Sequence, residues 1–547
     1  GYPGGAIMPV FDALYDYTRG ETKWFDHVLV RHEQAAAHAA EGYARVSGEV
    51  GVCLVTSGPG ATNTLTGVAD AMMDSTPIVV IAGQVSIGAL GSDAFQEVDL
   101  VGVAQPITKW AYQIRRPEDI AWAVSQAFYI ARSGRPGPVV LDLPKNSQTH
   151  TCEWEEAKVS YVRSYNPYPK LDDKAIEQAA KLINESERPF ALVGQGVELG
   201  NAHSELLEFL EKADIPAGRT LLGLSALVSD HPLNMGMLGM HGSYAANMKT
   251  QECDVLIAIG MRFSDRVTGN TAAFAPKAKI VHFDIDPAEL NKNVRADISV
   301  IGDLRETLPA FLDVVKNRSA EDLSVRFRPW RGEVLSMERA HPLRWKASED
   351  IRPEELISRV RELVDADAIC VTDVGQHQMW AALHLRVEEP RTWLTSGGLG
   401  TMGYGLPAAL GAQIALGESR RVIHIAGDGG IKMTGNEYYT IARLGLPILS
   451  IIVNNRSLGM IRQLQKVLYE ERYIACELDY EMDYVKYAES FGIRAVAVRA
   501  QEEFAAALRS ALEDIAHPRV IVLDVWRSFV EPMAKGGARI DEFVDFK

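Results

Sequence analysis

A repeated alternation of short apolar runs with longer alanine-rich stretches is the feature that most constrains how this 547-residue chain can fold. Strands buried on both faces of a parallel sheet have such β-branched runs, and the stretches between them have the length of helices. The runs are 52–55, 78–82, 139–143, 190–193, 255–259, 280–283, 368–372, 422–426, 448–453 and 520–525. The pattern predicts an α/β fold of doubly wound parallel sheets, with functional residues at the carboxyl ends of the strands.

The chain is too long for one hydrophobic core, and two polar stretches divide the alternation into thirds. Residues 153–173 are polar, contain several Tyr and Pro residues and have the composition of a long linker. Residues 318–353 are charged, contain two tryptophans and connect the second third to the last. We therefore predict an N-terminal domain over 1–160, a central domain with its linker over 161–345 and a C-terminal domain over 346–547. The Gly-Tyr-Pro-Gly-Gly turn at the start has no strand before it, which indicates a missing N-terminal piece and leaves a targeting peptide undecided.

Composition excludes several classes of function. A net charge of −16 argues against a nucleic-acid partner and against an anionic membrane surface. No apolar run approaches the length of a membrane span. The five cysteines are isolated from one another, as in a reducing compartment rather than a disulfide frame or a zinc site. We predict no nucleic acid and no membrane as partners, and a cytoplasmic protein if bacterial, or a plastid or mitochondrial one if eukaryotic.

The first and last thirds contain the same arrangement of elements. In each, an apolar strand runs into a glycine turn, a helix and a second strand that begins after a proline. Gly58 precedes Pro77 by 19 positions, and Asp428 precedes Pro447 by 19 positions. Any two strand–turn–helix–strand units look somewhat alike, but the shared spacing favours two related domains that flank a third.

The sharpest chemical signal is the Gly-Asp-Gly-Gly turn at 427–430, followed after a helix and an apolar strand by two asparagines at 454–455. The glycines let the backbone approach a diphosphate and offer N–H groups to it where the next helix begins. Asp428 and Asn455 supply hard oxygen ligands suited to Mg²⁺, and both follow predicted strands. A Gly-Asp-Gly tripeptide alone is usually a turn, but the whole combination resembles the thiamine-diphosphate motif of the keto-acid decarboxylase and carboligase superfamily.

A second segment, 31–45, places Glu33 after the strand-like run 25–30 and at the start of a helix of small residues. On its own, a glutamate there would merely stabilise the helix N-terminus. The segment is similar to the one that carries the activating glutamate of thiamine enzymes, a general acid–base beside the pyrimidine ring. The resemblance implies this role for Glu33 and separates the chain from glyoxylate carboligases, which lack the glutamate.

Over its whole length the chain resembles the catalytic subunits of acetohydroxyacid synthase, also called acetolactate synthase. The resemblance is carried by segments 1–5, 31–48, 56–63, 91–97, 133–138, 237–242, 262–269, 284–286, 397–406, 427–430 and 454–460. It implies the thiamine-diphosphate-binding fold and a transferase that decarboxylates pyruvate and ligates the hydroxyethyl unit to pyruvate or 2-ketobutyrate, the first common step of branched-chain amino-acid biosynthesis. It also implies a homodimer or homotetramer, with a small regulatory subunit as a family partner.

The resemblance also implies roles for individual residues. Those implied around thiamine diphosphate are Val374, Gly375, Gln376, His377, Gly400, Met402, Gly427, Asp428, Gly429, Gly430, Asn455, Ser457, Leu458, Gly459 and Met460. The Ser457 carbonyl would be the third protein ligand of Mg²⁺, after Asp428 and Asn455. The implied catalytic residues are Glu33, Gln96, Lys145 and Arg266, and the implied substrate channel contains Ser86, Phe95, Met240, Asp265 and Leu464. A guanidinium can bind a carboxylate bidentately, so Arg266 is the expected clamp for the acceptor keto acid.

The central third indicates a second cofactor. A glycine-rich turn follows the predicted strand 190–193, and acids at 284–286 follow the predicted strand 280–283, as where a dinucleotide binds. Alone, this imperfect motif is more often an ordinary tight turn. Within the resemblance it implies a Rossmann-like domain that binds a structural FAD through Arg135, Gly194, Gly196, Thr220, Leu221, Met240, His241, Gly260, Arg262, Asp284, Ile285 and Asp303.

Two positions depart from the family. Its members usually have tryptophan at the position of Leu464 and proline at the position of Ser86, both at the channel mouth. We therefore expect a weakened preference for 2-ketobutyrate over pyruvate and poor inhibition by sulfonylurea and imidazolinone compounds. The open alternatives are another thiamine-dependent decarboxylase, carboligase or flavin-using oxidase, a sulfoacetaldehyde or oxalyl-CoA enzyme, and a nonenzymatic nucleotide-binding subunit.

Overall fold

The computed structural model describes residues 1–19, 23–318, 322–345, 351–478 and 482–546. The strands in these residues form three separate sheets, and every pairing between them is parallel. The predicted α/β class with three parallel-sheet domains is confirmed. No helix in the described ranges combines the length and the apolar character that crossing a membrane would need.

The first sheet has four strands in the order β1-β2-β4-β3. Its strands are β1 Gly51–Val55, β2 Ile78–Gln84, β3 Trp110–Gln113 and β4 Val139–Pro144; its helices are α1 Met8–Arg19, α2 Glu33–Ser47, α3 Pro59–Asn63, α4 Leu65–Met73, α5 Leu100–Ala104, α6 Ile120–Arg132 and α7 Lys145–Thr149. The strand expected at 25–30 is not formed. Val28 and Val30 bond only to the backbone of Gly1, and this single pair of bonds is not a ladder.

The central sheet has six strands in the order β10-β9-β8-β5-β6-β7. Its strands are β5 Pro189–Val193, β6 Ala217–Arg219, β7 Asn234–Met237, β8 Val255–Ile259, β9 Lys279–Asp284 and β10 Ile298–Ile301; its helices are α8 Asp173–Glu185, α9 Gly196–Leu199, α10 His203–Ala213, α11 Tyr244–Glu252, α12 Asp265–Thr268, α13 Leu304–Arg318 and α14 Leu323–Ala340. From its first strand, β5, the chain builds outward to β7 on one side and then to β10 on the other. This is the strand order of dinucleotide-binding folds, whose ligands lie where the two directions diverge, here between β5 and β8.

The third sheet has six strands in the order β12-β11-β13-β14-β16-β15. Its strands are β11 Ile369–Thr372, β12 Trp393–Leu394, β13 Val422–Gly427, β14 Leu449–Asn454, β15 Arg494–Val498 and β16 Arg519–Asp524; its helices are α15 Pro353–Leu363, α16 Gln376–His384, α17 Gly405–Leu416, α18 Asp428–Thr434, α19 Tyr438–Leu444, α20 Gly459–Leu468, α21 Tyr484–Glu489 and α22 Gln501–Glu513. The first and third domains share one hydrophobic core, because side chains from both sheets pack in it.

The two predicted connections differ in structure. Residues 151–172 contain no helix or strand, as expected of a connection. The second stretch contains regular structure, because α14 occupies half of it. Trp330 of this helix is buried in the central domain and donates its indole N–H to the Pro189 carbonyl at 2.8 Å. The predicted boundary at 345/346 adjoins residues 346–350, which lie outside the described residues.

The repeat seen in the sequence is a repeat of topology. The order β1-β2-β4-β3 is matched by β13-β14-β16-β15, with α2 and α17 before the first strand of each set. These two helices pack closely at glycines: a Cβ on Gly42 would lie 2.7 Å from the carbonyl carbon of Ala408, and one on Gly411 would lie 2.6 Å from that of Ala39. The two contacts run in opposite directions along the helices, so the pair is antiparallel and locally twofold.

Candidate active site

One cavity of about 1270 Å³ collects most of the predicted site residues. It lies where the carboxyl ends of strands of the central sheet face those of the third sheet. The lining includes every residue expected around thiamine diphosphate, from Val374 to Met460, and the substrate-channel residues Met240, Asp265, Arg266 and Leu464. It also includes all the residues expected around FAD except Gly194. The residues predicted for the two cofactors therefore line one continuous cavity at the carboxyl ends of the strands.

Asp428 and Asn455 converge as the motif predicted. Strands β13 and β14 are neighbours with Gly427 opposite Val453, so the residues that follow both strands leave the sheet at the same edge. Asp428 is only 2 % exposed, and one of its carboxylate oxygens accepts from the Gly429 N–H at 3.1 Å. The other has no hydrogen-bond partner among the described residues, and burial raises the pKa of Asp428 to about 6. Asn455 lines the same cavity, and its amide oxygen accepts from the Ser457 N–H at 3.1 Å. An unpartnered buried carboxylate oxygen and an amide oxygen in one cavity are a donor set that fits Mg²⁺.

The space beside Asp428 is shaped by glycines. A Cβ on Gly429 would lie 2.7 Å from the Leu458 side chain and 3.3 Å from the end of Met402, so Met402 reaches over this turn. A Cβ on Gly427 would lie 2.8 Å from Nδ1 of His377. Burial lowers the pKa of His377 to about 3, so the ring is neutral at physiological pH. Side chains therefore pack so closely on this turn that only glycine fits at 427 and 429, and both glycines line the cavity.

Glu33 lies on the first domain, away from the lining of this cavity. It begins α2, is half-buried, and accepts a hydrogen bond from the Asn63 amide at 3.0 Å. The two residues before it are held from the C-terminal domain, because Glu437 accepts from the N–H groups of Arg31 at 2.7 Å and His32 at 3.2 Å. The position of Glu33 thus depends on a contact between domains, and Glu437 was not predicted from the sequence.

Four other predicted residues of the first domain also lie outside the lining of this cavity. Ser86, Phe95, Gln96 and Lys145 are also absent from the cavity lining. Ser86 follows β2 and Lys145 follows β4, so they lie at the carboxyl edge of the first sheet. Phe95 is 88 % exposed, an unusual state for a phenylalanine in a folded domain. Within one chain, the predicted catalytic residues therefore form two groups, one around the cavity and one on the surface of the first domain.

Arg266 and Asp265 lie in the cavity lining but are mostly exposed, at 69 % and 76 % of their side chains. Their charged groups pair at 2.8 Å. Exposed ion pairs of this kind contribute about 0–1 kcal/mol, so an incoming carboxylate can replace Asp265 on the guanidinium at little cost. Leu464 is half-buried on α20 and lines the same cavity.

The glycines of the central domain pack against one another. A Cβ on Gly196 would lie 2.6 Å from Cα of Gly260, and one on Gly194 would lie 2.6 Å from Cα of Met261. These residues follow β5 and β8, the two strands between which the order diverges. Gly194 therefore serves this close contact, whereas Gly196 and Gly260 also line the cavity.

Charged residues that line the cavity on the side of the central domain fit a dinucleotide phosphate. Arg135 pairs with Asp286 at 3.2 Å and Glu289 at 2.6 Å, and Arg262 lines the cavity nearby. Burial and the neighbouring Arg135 lower the pKa of Arg262, as expected where two cations share a low-dielectric space. Burial raises the pKa of Asp284 to about 6. Two arginines beside an acid at a strand end can hold a diphosphate and a ribose.

Comparisons with known proteins agree with this arrangement. Three family models match successive parts of the chain: "Thiamine pyrophosphate enzyme, N-terminal TPP binding domain" over 1–103, "Thiamine pyrophosphate enzyme, central domain" over 176–311 and "Thiamine pyrophosphate enzyme, C-terminal TPP binding domain" over 373–525. The chain is 47% identical over 519 residues to the acetolactate synthase large subunit of Parasynechococcus marenigrum, covering 93% of this chain and 83% of that protein.

Two further relatives are similar over almost the full length. The probable acetolactate synthase large subunit of Methanocaldococcus jannaschii is 44% identical over 556 residues, with 100% of this chain and 92% of that protein covered. The large subunit of acetolactate synthase isozyme 3 of Escherichia coli is 42% identical over 550 residues, with 99% and 94% covered.

Proposed function

Since this chain belongs to the acetolactate synthase family of thiamine pyrophosphate enzymes, we propose that it decarboxylates pyruvate and joins the two-carbon unit to pyruvate or 2-ketobutyrate. The chain is thus a thiamine-diphosphate-dependent transferase. The observation that carries the proposal is the buried, unpartnered carboxylate oxygen of Asp428, beside Asn455 at the ends of adjacent strands. Such a pair fits a metal-bridged diphosphate, because Mg²⁺ is usually bound by one or two carboxylate or amide oxygens together with phosphate oxygens.

Three protein groups would hold the metal and diphosphate. Asp428, Asn455 and the Ser457 carbonyl would bind Mg²⁺, and the glycine turn at 427–430 would donate N–H groups to the diphosphate. When bound, thiamine diphosphate supplies the nucleophilic carbon and the electron sink for loss of CO₂. Gly400 and Met402 would fix the orientation of its rings from the opposite wall of the cavity. The protein contribution is then the positioning of the cofactor and the substrates.

Arg266 would hold the acceptor keto acid. Its guanidinium would exchange Asp265 for the substrate carboxylate, and Leu464 would face the alkyl end of the acceptor. Lys145, Gln96 and Phe95 would complete the channel from the first domain.

We also propose FAD in the central domain. The dinucleotide-binding strand order, Arg135 and Arg262 fit its diphosphate, and Asp284 fits a ribose hydroxyl. Ligation of keto acids involves no net redox change, so this flavin would be structural. A flavin that is reduced in proportion to pyruvate turnover would instead indicate an oxidase.

The assembly is proposed to be a homodimer at least, and a homotetramer is compatible with it. Glu33 does not line the cavity of its own chain, so its role requires that it reach the cavity of a second copy. The relatives are named large subunits, which supports a small regulatory subunit as a further partner. We propose the domain boundaries 1–160, 161–345 and 346–547, and the cellular compartment stays a prediction.

The deciding experiment supplies pyruvate alone, and pyruvate with 2-ketobutyrate, to the protein with saturating thiamine diphosphate, Mg²⁺ and FAD. We expect 2-acetolactate in the first case and a mixture with 2-aceto-2-hydroxybutyrate in the second. Acetaldehyde or acetate as the main product would refute carboligation. Absence of turnover would favour a nonenzymatic nucleotide-binding subunit.

A Glu33→Gln variant tests the activation role separately. It should still bind thiamine diphosphate, but exchange the C2 proton of the bound cofactor more slowly by about 10²–10⁴-fold, the usual contribution of a general acid–base. Unchanged exchange would remove Glu33 from this role.

A further inference from the structure

The cavity wall formed by residues 396–405 has no regular secondary structure before α17 begins, yet it carries Gly400 and Met402. Gly400 has φ +74 and Gly403 has φ +91, so the segment is folded on itself through left-handed positions. We propose that Asp70, on helix α4 of the first domain, and Asp74, the residue that directly follows this helix, are positioning residues that hold this wall in its cofactor-binding form. The inference rests on the proposed function of Gly400 and Met402.

Asp74 binds the first part of the wall through its carboxylate. One oxygen accepts from the Gly397 N–H at 2.9 Å, and the other accepts from the Gly398 N–H at 2.6 Å. The group is fully buried, and a Cβ on Gly398 would lie 2.6 Å from the Asp74 oxygen. The wall therefore needs both the carboxylate and a glycine at 398 to adopt this form.

Asp70 reaches the wall through hydroxyl groups. Its Oδ1 accepts from the Ser396 hydroxyl at 2.5 Å and from the Thr401 hydroxyl at 3.2 Å. The Ser396 oxygen in turn accepts from the N–H groups of Gly400 at 3.1 Å and Thr401 at 2.9 Å. One hydroxyl thus connects Asp70 to the backbone of Gly400, a residue of the cavity lining.

The remainder of the segment is held from its own domain. Asp373, at the end of β11, accepts from the N–H groups of Gly403 at 3.0 Å and Gly405 at 3.1 Å. Residues 396–401 are held mainly from the first domain, although Gln378 of the third domain also donates to the Ser396 carbonyl at 3.0 Å, and residues 403–405 are held from the third. The first domain would therefore serve the cofactor twice, by holding this wall in its own chain and by presenting Glu33 to a second copy.

The charges around the two aspartates support a fixed arrangement. Arg45 of α2 donates to the Thr395 carbonyl at 2.6 Å, and its guanidinium is 3.9 Å from Asp74. On the other side, the pair His38 and Glu41 is joined at 2.8 Å, with His38 3.9 Å from Asp70. All of these side chains are buried, where hydrogen bonds to charged groups are strong and their loss is costly.

Two near-isosteric variants, one helical turn apart, test the proposal. In Asp74→Asn, one of the two backbone N–H groups meets an NH₂ group instead of an acceptor. In Asp70→Asn, the amide oxygen still accepts both hydroxyls, and its NH₂ replaces the oxygen that has no hydrogen-bond partner among the described residues and lies 3.9 Å from His38. The same substitution at the same burial should therefore have different effects on the wall.

The first measurement is amide hydrogen exchange of the full-length protein without thiamine diphosphate. In Asp74→Asn, exchange at 397–398 should rise by roughly 10- to 100-fold, the loss expected for one hydrogen bond to a charged acceptor. Amides of strand β13 should keep their wild-type rates. In Asp70→Asn, exchange should stay within about threefold of wild type at both places. Unchanged exchange at 397–398 in Asp74→Asn would overturn the proposal.

The second measurement is the Kd of thiamine diphosphate with Mg²⁺. It should rise by roughly the same factor in Asp74→Asn and little in Asp70→Asn. Faster exchange with an unchanged Kd would also overturn the positioning role. The proposed function would be tested separately, by the products formed from pyruvate. If Asp74→Asn does not fold, Ser396→Ala replaces it, because this variant frees the Gly400 and Thr401 N–H groups without changing a charge. Wild-type exchange at 400–401 in Ser396→Ala would equally refute the inference.

Discussion

The close contact between α2 and α17 yields a sharp prediction for the substitution Gly42→Ala. The added Cβ would lie 2.7 Å from the carbonyl carbon of Ala408 and closer still to its oxygen. Ordinary contacts of a Cβ begin near 3.4 Å, and the opposing atoms are helix backbone that cannot rotate away. The helices would have to separate by about 1 Å or more, in a core where both domains pack.

The magnitude follows from two opposing effects. Overpacking of this kind costs about 1–3 kcal/mol, whereas Gly→Ala inside a helix gains about 0.5–1 kcal/mol. We expect a net loss of about 1–2 kcal/mol for Gly42→Ala and a similar loss for Gly411→Ala. The double variant should cost less than the sum of the two, because one displacement of the helices relieves both clashes.

The assay is calorimetric unfolding of the wild type and the variants. Gly332→Ala is the matched control, since Gly332 is exposed within helix α14 and a Cβ there would meet no atom within 4 Å. The control should unfold at a slightly higher temperature than wild type, and Gly42→Ala at a lower one. A transition for Gly42→Ala equal to or above that of wild type would refute the reasoning from steric contact.

Four further outcomes are expected. Leu464→Trp should increase the preference for 2-ketobutyrate over pyruvate as acceptor by about 1–3 kcal/mol and should increase inhibition by sulfonylureas. Equal product ratios and equal inhibitor sensitivities in the wild type and the variant would contradict this. Asp428→Ala should abolish Mg²⁺-dependent retention of thiamine diphosphate, and near-normal activity at limiting cofactor would remove it from the ligand set. Glu437→Ala should lower kcat by up to about 100-fold through displacement of Glu33, with most activity kept in Glu437→Gln, whose amide oxygen still accepts; equal kcat values in the two variants would contradict this. Burial raises the pKa of Glu198 from 4.5 to about 7. Between these two pH values the folded state keeps a proton that the unfolded state releases, so the free energy of unfolding of the wild type falls by up to about 3 kcal/mol as the pH rises from 4.5 to 7. Glu198→Gln should therefore unfold at a higher temperature than wild type at pH 8 but not at pH 4, and a lower temperature at pH 8 would show an ionised, paired Glu198.

Ten strands were predicted from apolar runs, and all ten are present to within two residues at each end, whereas the strand-like run 25–30 forms no strand. The six that were missed are β3, β6, β7, β10, β12 and β15. Five of these lie at sheet edges, and β6 lies next to one. Strands there are short or covered on one side, as the half-exposed β15 shows, so they need no continuous apolar run. The central strands could be predicted because burial on both faces requires a continuous apolar run.

The site divides in the same way. Asp428 and Asn455 could be predicted because a motif and two strand ends place them together. Asp74 and Glu437 could not, since each acts on backbone N–H groups more than 300 residues away in sequence. No local pattern encodes such pairs. Asp373 is intermediate: it directly follows a predicted strand, and that position alone could have marked it.

The antiparallel helix pair has the geometry of a homodimer whose two subunits became joined in one polypeptide. In a true homodimer every substitution appears on both sides of the axis, whereas here each half can change alone. The turn after β13 carries Asp428, but the matching turn after β1 has glycine there, followed by Pro59, which has no N–H to offer an anion. That turn instead lies beside Glu33, whose Oε1 would be 3.5 Å from a Cβ on Gly60. The two turns therefore occupy equivalent places in the two domains but carry different side chains, Asp428 in one and none at Gly58 in the other.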